Sequence, residues 1–341
     1  SFLEACQKSK TLVPLVIIDP KMPFAQTSGI KPGRIRMKFI LQSLQNLQSQ
    51  LQGFNSSLII VRGPPEYVLP KLIQEMGGVT HLYYEKDSAA PIRKQDQKTL
   101  QLLPKHLTIQ SFDTHTLFEM EKYVSRCPGQ LAPSTFGGFT KLFHQMGPVP
   151  SPVETISYIP PLPQQLISTV LLQSSSVLER YQGEDTTNKN NYTNAFPIPT
   201  LKELGYHDDQ VDTEEGTFQN EIFPGGETEA LQRLNLIVTN KKLWVAKFEK
   251  PKTSPNSLQP DTTGLSPYIK HGCLSARTVY HEIRRIYDLY SDQHSKPPVS
   301  PKDNLCGENI IRLWVTPHPT LTVWWGILSL GKSHGITIPC C

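Results

Sequence analysis

Between Trp244 and Ser275 the chain reads WVAKFEKPKTSPNSLQPDTTGLSPYIKHGCLS, and within it Thr262, Thr263, Gly264, Leu265 and Ser266 form a hydroxyl-rich turn around one glycine. Pro267 follows at the start of a predicted helical turn, where the fixed φ of proline is tolerated. A turn of this kind offers free backbone N–H groups and hydroxyls, and Lys250 and Lys252 add positive charge, a set that suits a phosphate. An ordinary loop with a helix cap would look the same, and spacing alone does not separate the two. Elsewhere His81, His106 and His115 fall in or beside predicted strands and read as structural. Glu85, Lys86 and Asp87 close a predicted strand at the edge where α/β sheets commonly bind ligands; they read as a solvated loop, with a chromophore contact as the alternative. The Arg284-Arg285 pair reads as a solvated helix face. Cysteines 6, 127, 273, 306, 340 and 341 show neither metal-ligand spacing nor a disulfide framework and read as reduced intracellular thiols.

The elements that must position these residues can be traced from periodicity. Leu12 to Ile18 is a continuous apolar run closed by Asp19-Pro20, as expected of a strand buried on both faces. Met37, Ile40, Leu41, Leu44, Leu47 and Leu51 then recur at helical spacing. Leu58 to Val61, His81 to Tyr84 and Leu107 to Ser111 read as further strands, with a helix from Glu66 to Met76. This alternation predicts a parallel sheet with helices on its faces. From Glu121 to Gln219 proline, serine, glutamine and asparagine dominate, which predicts a long connector with short helices near Phe139 to Gln145 and Leu166 to Tyr181. Pro224-Gly225-Gly226 opens a second unit. Its helices are expected at Glu227 to Asn235 and along Val279, Ile283, Ile286 and Tyr290, with Ser275 as N-cap of the latter.

With 341 residues the chain has room for two domains, and 19% charged residues with 30 prolines suits a folded protein with long irregular connections. A net charge of +4 identifies no nucleic-acid partner by itself. No run is long and apolar enough to cross a membrane as a helix. The Asn55-Ser56-Ser57 and Asn191-Tyr192-Thr193 sequons are short enough to arise by chance.

Several runs together carry a resemblance. PGGETEAL (Pro224 to Leu231) with Arg233-Leu234, then WVAKFEKPKTSPNSL and TTGLSPYIKHGCLS, resemble the animal cryptochrome and (6-4) photolyase group. LVPLVIIDP, GRIRMKFILQSLQNL, LIIVRGPPEYVLPKL and THLYYEKD resemble the N-terminal domain of that group in the same order. The resemblance implies an α/β fold: a Rossmann-like parallel-sheet antenna domain (residues 1–120), a connector (121–219) and the start of an all-α FAD-binding domain (220–300). It implies FAD, with Thr262, Thr263, Gly264, Leu265 and Ser266 around the pyrophosphate and Lys250 near the phosphates. Some members of the group also carry an antenna chromophore (deazaflavin or methenyltetrahydrofolate) in the N-terminal domain, and no metal site is expected. Damaged DNA is the implied partner of a photolyase, which flips the lesion out of the duplex; clock or signalling proteins are those of a cryptochrome, in nucleus and cytoplasm. His271 stands where the family usually carries Phe.

Two departures modify the expectation. The opening strand of the family, central in its sheet, is absent before Ser1, and its loss would leave neighbouring backbone groups unpaired. After Ser300 the family continues G-Q-L-(L/M)-W-R-E, whereas residues 301–341 read PKDNLCGENIIRLWVTPHPTLTVWWGILSLGKSHGITIPCC. Read one phase over with permitted codons, this tail yields G-Q-L-M-W-R-E, then N-F-D-R-M-x-G-N and I-P-W. Residues 301–341 are therefore expected to be an out-of-frame tail, and the chain to lack the catalytic half and any repair activity. Trp314, Trp324 and Trp325 are read as a sticky liability, not a redox relay. The nucleotide sequence across the Ser300 codon tests this: the shifted phase should continue through W-R-E in the family pattern, and a frame confirmed without that continuation removes the explanation.

Overall fold

Thr11–Ile18 (β1) is the run TLVPLVII, and from Leu15 to Ile18 every residue is buried. Alternate residues serve opposite layers, as the twofold period of a strand requires. Val13, Leu15 and Ile17 enter one apolar cluster, and Leu12, Val16 and Ile18 enter the other. The computed structural model describes residues 2–19, 32–87, 90–163 except 128, 130 and 132, 198–206, 222–248, 263–293 and, as backbone, 323–330. The predicted helix at Leu166 to Tyr181 lies outside them.

Around β1 the chain alternates as its pattern predicts. Phe2–Lys8 (α1) precedes it, and Arg34–Gly53 (α2), Ile59–Arg62 (β2), Pro65–Met76 (α3), Val79–Glu85 (β3), Ala90–Gln101 (α4) and Thr108–Phe112 (β4) follow. β1 pairs in parallel with β2, and β3 in parallel with β4. Helix α3 brings Val68, Leu69, Leu72, Ile73 and Met76 to one face of the sheet, while Met37, Ile40, Leu41, Leu44 and Leu51 of α2 cover the other. Gln48 of α2 is buried among them. Its Oε1 accepts the Leu58 N–H at 2.8 Å and its Nε2 donates to Ser57 Oγ at 2.9 Å, which fixes the entry to β2. The connector packs back on this unit: Pro161 O accepts the Leu12 N–H at 3.3 Å, and Ile156, Ile159, Leu201 and Leu204 join the α2-side cluster. It contains Met120–Arg126 (α5) and Phe136–Gln145 (α6).

The sheet holds a fifth strand that the sequence pattern does not announce. Val323–Leu330 (β5), within the tail read as out of frame, lies between β1 and β3 and runs antiparallel to both, giving the order β2-β1-β5-β3-β4. The expectation of unpaired backbone at the sheet centre is thereby corrected. An uncharged, Trp- and Ile-containing run meets the backbone requirement from the opposite direction.

The second unit comprises Glu227–Leu234 (α7), which continues as a π-helical turn over Asn235–Thr239, then Lys242–Ala246 (α8), Ser266–Lys270 (α9) and Ala276–Gln293 (α10). Ser275 precedes α10, and its carbonyl accepts the Val279 N–H at 3.2 Å. Ala230, Leu234, Val238, Val245, Phe248, Leu265, Tyr268, Val279, Ile283 and Ile286 form one core, which also takes in Phe39 of α2.

The two units meet along the side of α2 opposite the sheet, on the stripe Phe39, Gln42, Ser43 and Asn46. Gln42 Oε1 accepts the Gly225 N–H at 2.8 Å. Asn46 Oδ1 accepts the N–H groups of Glu227 and Thr228 at 3.0 and 3.3 Å, so a side chain of α2 caps the first turn of α7. The contact is close enough to require glycine: a Cβ on Gly225 would stand 2.0 Å from Phe39 O, and Gly226 has a φ of 123°. Gly225→Ala should therefore lower the unfolding free energy by about 2 kcal/mol or more, and Asn46→Ala by about 1 kcal/mol. Urea denaturation midpoints of the two variants, with Asn46→Asp retaining most of the cap, check this.

Candidate functional site

The hydroxyl-rich turn sits where the helical core closes over α7. Gly264 adopts a φ of 63°, which L side chains rarely take, and this reverses the chain between Thr263 and Leu265. Thr263 and Leu265 point inward, 6% and 1% exposed, and the Leu265 N–H donates to Thr263 Oγ1 at 3.4 Å. Ser266 is exposed at the first position of α9, with Pro267 behind it. Helix geometry leaves the N–H groups of Ser266 and Tyr268 without i−4 partners in α9, while Ile269 N–H closes on Leu265 O at 3.1 Å. Of the predicted phosphate residues, Thr263, Gly264 and Leu265 are buried in the turn and Ser266 alone is exposed, while Lys250 and Thr262 lie outside the described residues.

The structure adds Arg233, which the sequence shows only as part of a matching run. From α7 its guanidinium reaches Phe223 (4.9 Å to the ring centre) and Tyr268 (5.9 Å), and its Nη2 donates to Ile222 O. Its Nε is buried without a hydrogen-bond partner, while the guanidinium acts on the buried Tyr268 hydroxyl beside it. A cation with an unused donor is a group that suits an anion. Burial pushes the Tyr268 hydroxyl up, so it stays protonated and can donate. Among the described residues, Ser266 and the first turn of α9 are the groups exposed to a phosphate such as that of FAD.

His271, at the end of α9, packs against the same helix α2 that caps α7. Its ring centre lies 5.3 Å from that of Phe39, which in turn meets Tyr268 edge-on at 5.4 Å. Burial lowers its pKa from 6.5 to about 4, and the charges of Arg36, Lys270 and His115 act in the same direction. The imidazole is neutral and fills the place of an aromatic ring, so the departure from Phe leaves the packing intact. Burial lowers Lys270 as well, while Asp87 opposes that shift. Asp87 thus faces the helical unit, and the rest of its loop is tied down: Lys86 Nζ contacts Glu121 Oε1 at 2.7 Å, and Glu85 accepts the Thr114 N–H. Arg285 makes two hydrogen bonds to Glu282 and Arg284 pairs with Asp288 at 3.1 Å, in keeping with a solvated helix face. Cys6, Cys127 and Cys273 are free and buried.

The chain is thus an α/β unit joined through a connector to a helical unit with a glycine-turned hydroxyl loop, and its relatives share that arrangement. Residues 1–156 match the DNA photolyase family. Cryptochrome-1 of Macaca fascicularis is 32% identical over 299 residues, which span 87% of this chain and 45% of that protein. The chain belongs to the photolyase and cryptochrome family. It spans somewhat less than half the length of the curated relatives it matches. The crystal structure of Synechocystis sp. PCC6803 cryptochrome shares the fold at a TM-score of 0.60 and 19% identity, over 88% of this chain and 53% of that one. The archaeal photolyase from Sulfolobus tokodaii, solved with two FAD molecules, does so at 0.51 and 16%, over 85% and 54%.

The His271 assignment has a pH signature. The folded form stays unprotonated down to about pH 4, whereas the unfolded chain takes up a proton below 6.5. Stability is lost as pH falls through that window, by up to about 3 kcal/mol. His271→Phe should remove this component: urea midpoints of wild type and variant should agree at pH 7 and diverge at pH 5 with the variant higher. Parallel loss in both would show that His271 does not titrate in this way.

Proposed function

We propose that this chain is the α/β and flavin-phosphate portion of a light-responsive FAD protein of the photolyase and cryptochrome type. Bound FAD would supply photoinduced electron transfer. The chain's own contribution is to hold and orient the phosphate end. Ser266 would donate its hydroxyl and N–H, Gly264 would keep the turn open, Thr263 would brace it from inside, and Arg233 would supply the balancing charge through Nε. Lys250 and Thr262 would complete the cradle. The observation that carries the reading is the Gly264 turn, with its φ of 63°, which leaves Ser266 exposed at the first position of α9.

In a photolyase the substrate would be a flipped pyrimidine lesion in DNA; in a cryptochrome the partners would be clock or signalling proteins, in nucleus and cytoplasm. An antenna chromophore, a deazaflavin or methenyltetrahydrofolate, would sit with the α/β unit near Glu85 to Asp87. The chain as written, with residues 301–341 in their present frame, is proposed to bind without repairing.

A ligand series tests the phosphate role directly. Fluorescence anisotropy and competition should show FAD and ADP binding the purified chain, with riboflavin much weaker. Ser266→Ala removes a hydrogen bond to a charged group, about 1.5–3 kcal/mol, and should weaken FAD by roughly tenfold or more; Ser266→Thr should retain it. Riboflavin binding as tightly as FAD, or an unchanged affinity in Ser266→Ala, would show that the phosphate is held elsewhere.

A further inference from the structure

The centre of the sheet is a slot with an unusual occupant. β1 and β3 do not pair with each other; both pair with β5. The direction of their backbone groups can be followed from neighbouring bonds. Leu12 N–H goes to Pro161 O and Ile18 O accepts the Gly63 N–H, so the even-numbered residues of β1 face the β2 side. Thr11, Val13, Leu15 and Ile17 accordingly face the slot. The same alternation leaves Pro14 on the β2 side, ahead of the first β1–β2 pair at Leu15↔Ile59, so its missing N–H withholds nothing from β5. On β3 the Lys86 N–H bonds Phe112 O, which turns His81 and Tyr83 toward the slot.

β5 answers these rows in one direction only. It pairs with β1 without a break from Thr11↔Leu330 to Ile18↔Val323. With β3 the register is irregular between Val79 and His81 and runs only from Val79↔Leu330 to Tyr84↔Gly326. Every other strand is joined to its sequence neighbour by a helix: β1 to β2 through α2, β2 to β3 through α3, and β3 to β4 through α4. Among the described residues, α10 is the last element before β5. β5 is reached from α10 through residues 294–322, a stretch long enough to extend by up to about 100 Å, several times the radius of a domain of this size.

We propose that the slot between β1 and β3 is a strand-acceptor site, and that it can be filled in trans by the 323–330 segment of a second copy of this chain. The segment VWWGILSL carries no charge and no proline, the composition of an intermolecular strand donor. It is joined to α10 through residues 294–322, and the closure entropy of a long connection changes only slowly with length. The intramolecular strand wins in dilute solution, where its effective concentration dominates. Refolding at high protein concentration lets two copies exchange strands reciprocally, with the same backbone pairs formed in both states.

Light scattering on the full chain reads this out. Wild type refolded from denaturant at high concentration should contain a dimer that persists on dilution, and the same protein refolded dilute should be monomeric. Gly326→Pro places a proline in the middle of the donor strand. It should abolish the dimer and lower the melting temperature, and a synthetic peptide spanning residues 320–333 should restore the melting temperature of the variant without altering wild type. A variant that dimerises like wild type, or that melts like wild type and ignores the peptide, overturns the proposal. Should Gly326→Pro fail to fold with or without peptide, wild-type copies carrying two different tags decide. Co-refolding should give mixed-tag dimers that excess peptide suppresses; mixed dimers insensitive to peptide, or none at all, overturn it.

Discussion

The fold depends on pairing two rows of backbone groups that face each other across the middle of the sheet. The slot-facing N–H and C=O groups of β1 and β3 lie between two apolar layers, each built from residues that are almost wholly removed from solvent. A buried group left without its partner costs about 1–3 kcal/mol. Several such losses would equal the whole stability of a domain, about 5–15 kcal/mol. A sheet with β1 on one side and β3 on the other therefore requires a strand between them. The requirement concerns backbone and the exclusion of charge, and it leaves direction open. An antiparallel segment from near the end of the chain can meet it, although every other neighbouring pair in the sheet is parallel.

The second organising element is α2, whose two sides do different work. One side covers the sheet through Met37, Ile40, Leu41, Leu44 and Leu51, and the other carries Phe39, Gln42, Ser43 and Asn46 into the helical unit. Phe39 belongs to the helical core although it is on an α/β helix. Cys273, just after α9, donates to Ser43 Oγ at 3.3 Å, and the Gly225-Gly226 turn packs against α2 backbone. The phosphate-type loop is thus held by α9 and α7, which are themselves located by α2, which is located by the sheet. Disturbing the sheet centre should reach the loop through that sequence of contacts.

Much of this was legible in the residues because apolar period and burial coincide. The runs of β1, β2 and β3 and the stripe of α2 were readable for that reason. Helix α4 was not, because its sheet-facing positions Ile92, Gln95, Asp96 and Thr99 are buried yet mostly polar. Gln95 Nε2 donates to Asp19 Oδ2 at 3.2 Å across to the end of β1, a buried polar contact that hides a helical period from any apolar count. β5 was missed for another reason: its place is dictated by an unmet need in β1 and β3, information that its own residues do not contain. Arg233 was visible only as part of a resemblance, since nothing in its neighbours along the chain signals that Phe223 and Tyr268 will flank it.

His271 shows how the interface between the units tolerates a polar residue where the family usually carries Phe. The site demands a flat ring against Phe39 and forbids additional charge, because Arg36, Lys270 and His115 already act on it with the same sign. An imidazole satisfies both demands when burial keeps it unprotonated. Among the described residues, Asp87 is the acid that acts on Lys270, and it comes from the loop after β3, at the C-terminal edge of the sheet. The charge balance of the α9 region is therefore shared between the two units. That sharing ties the loop at the sheet edge to the helix that opens with Ser266, so the site proposed for the flavin phosphate is set by the junction of the units and not by the helical unit alone.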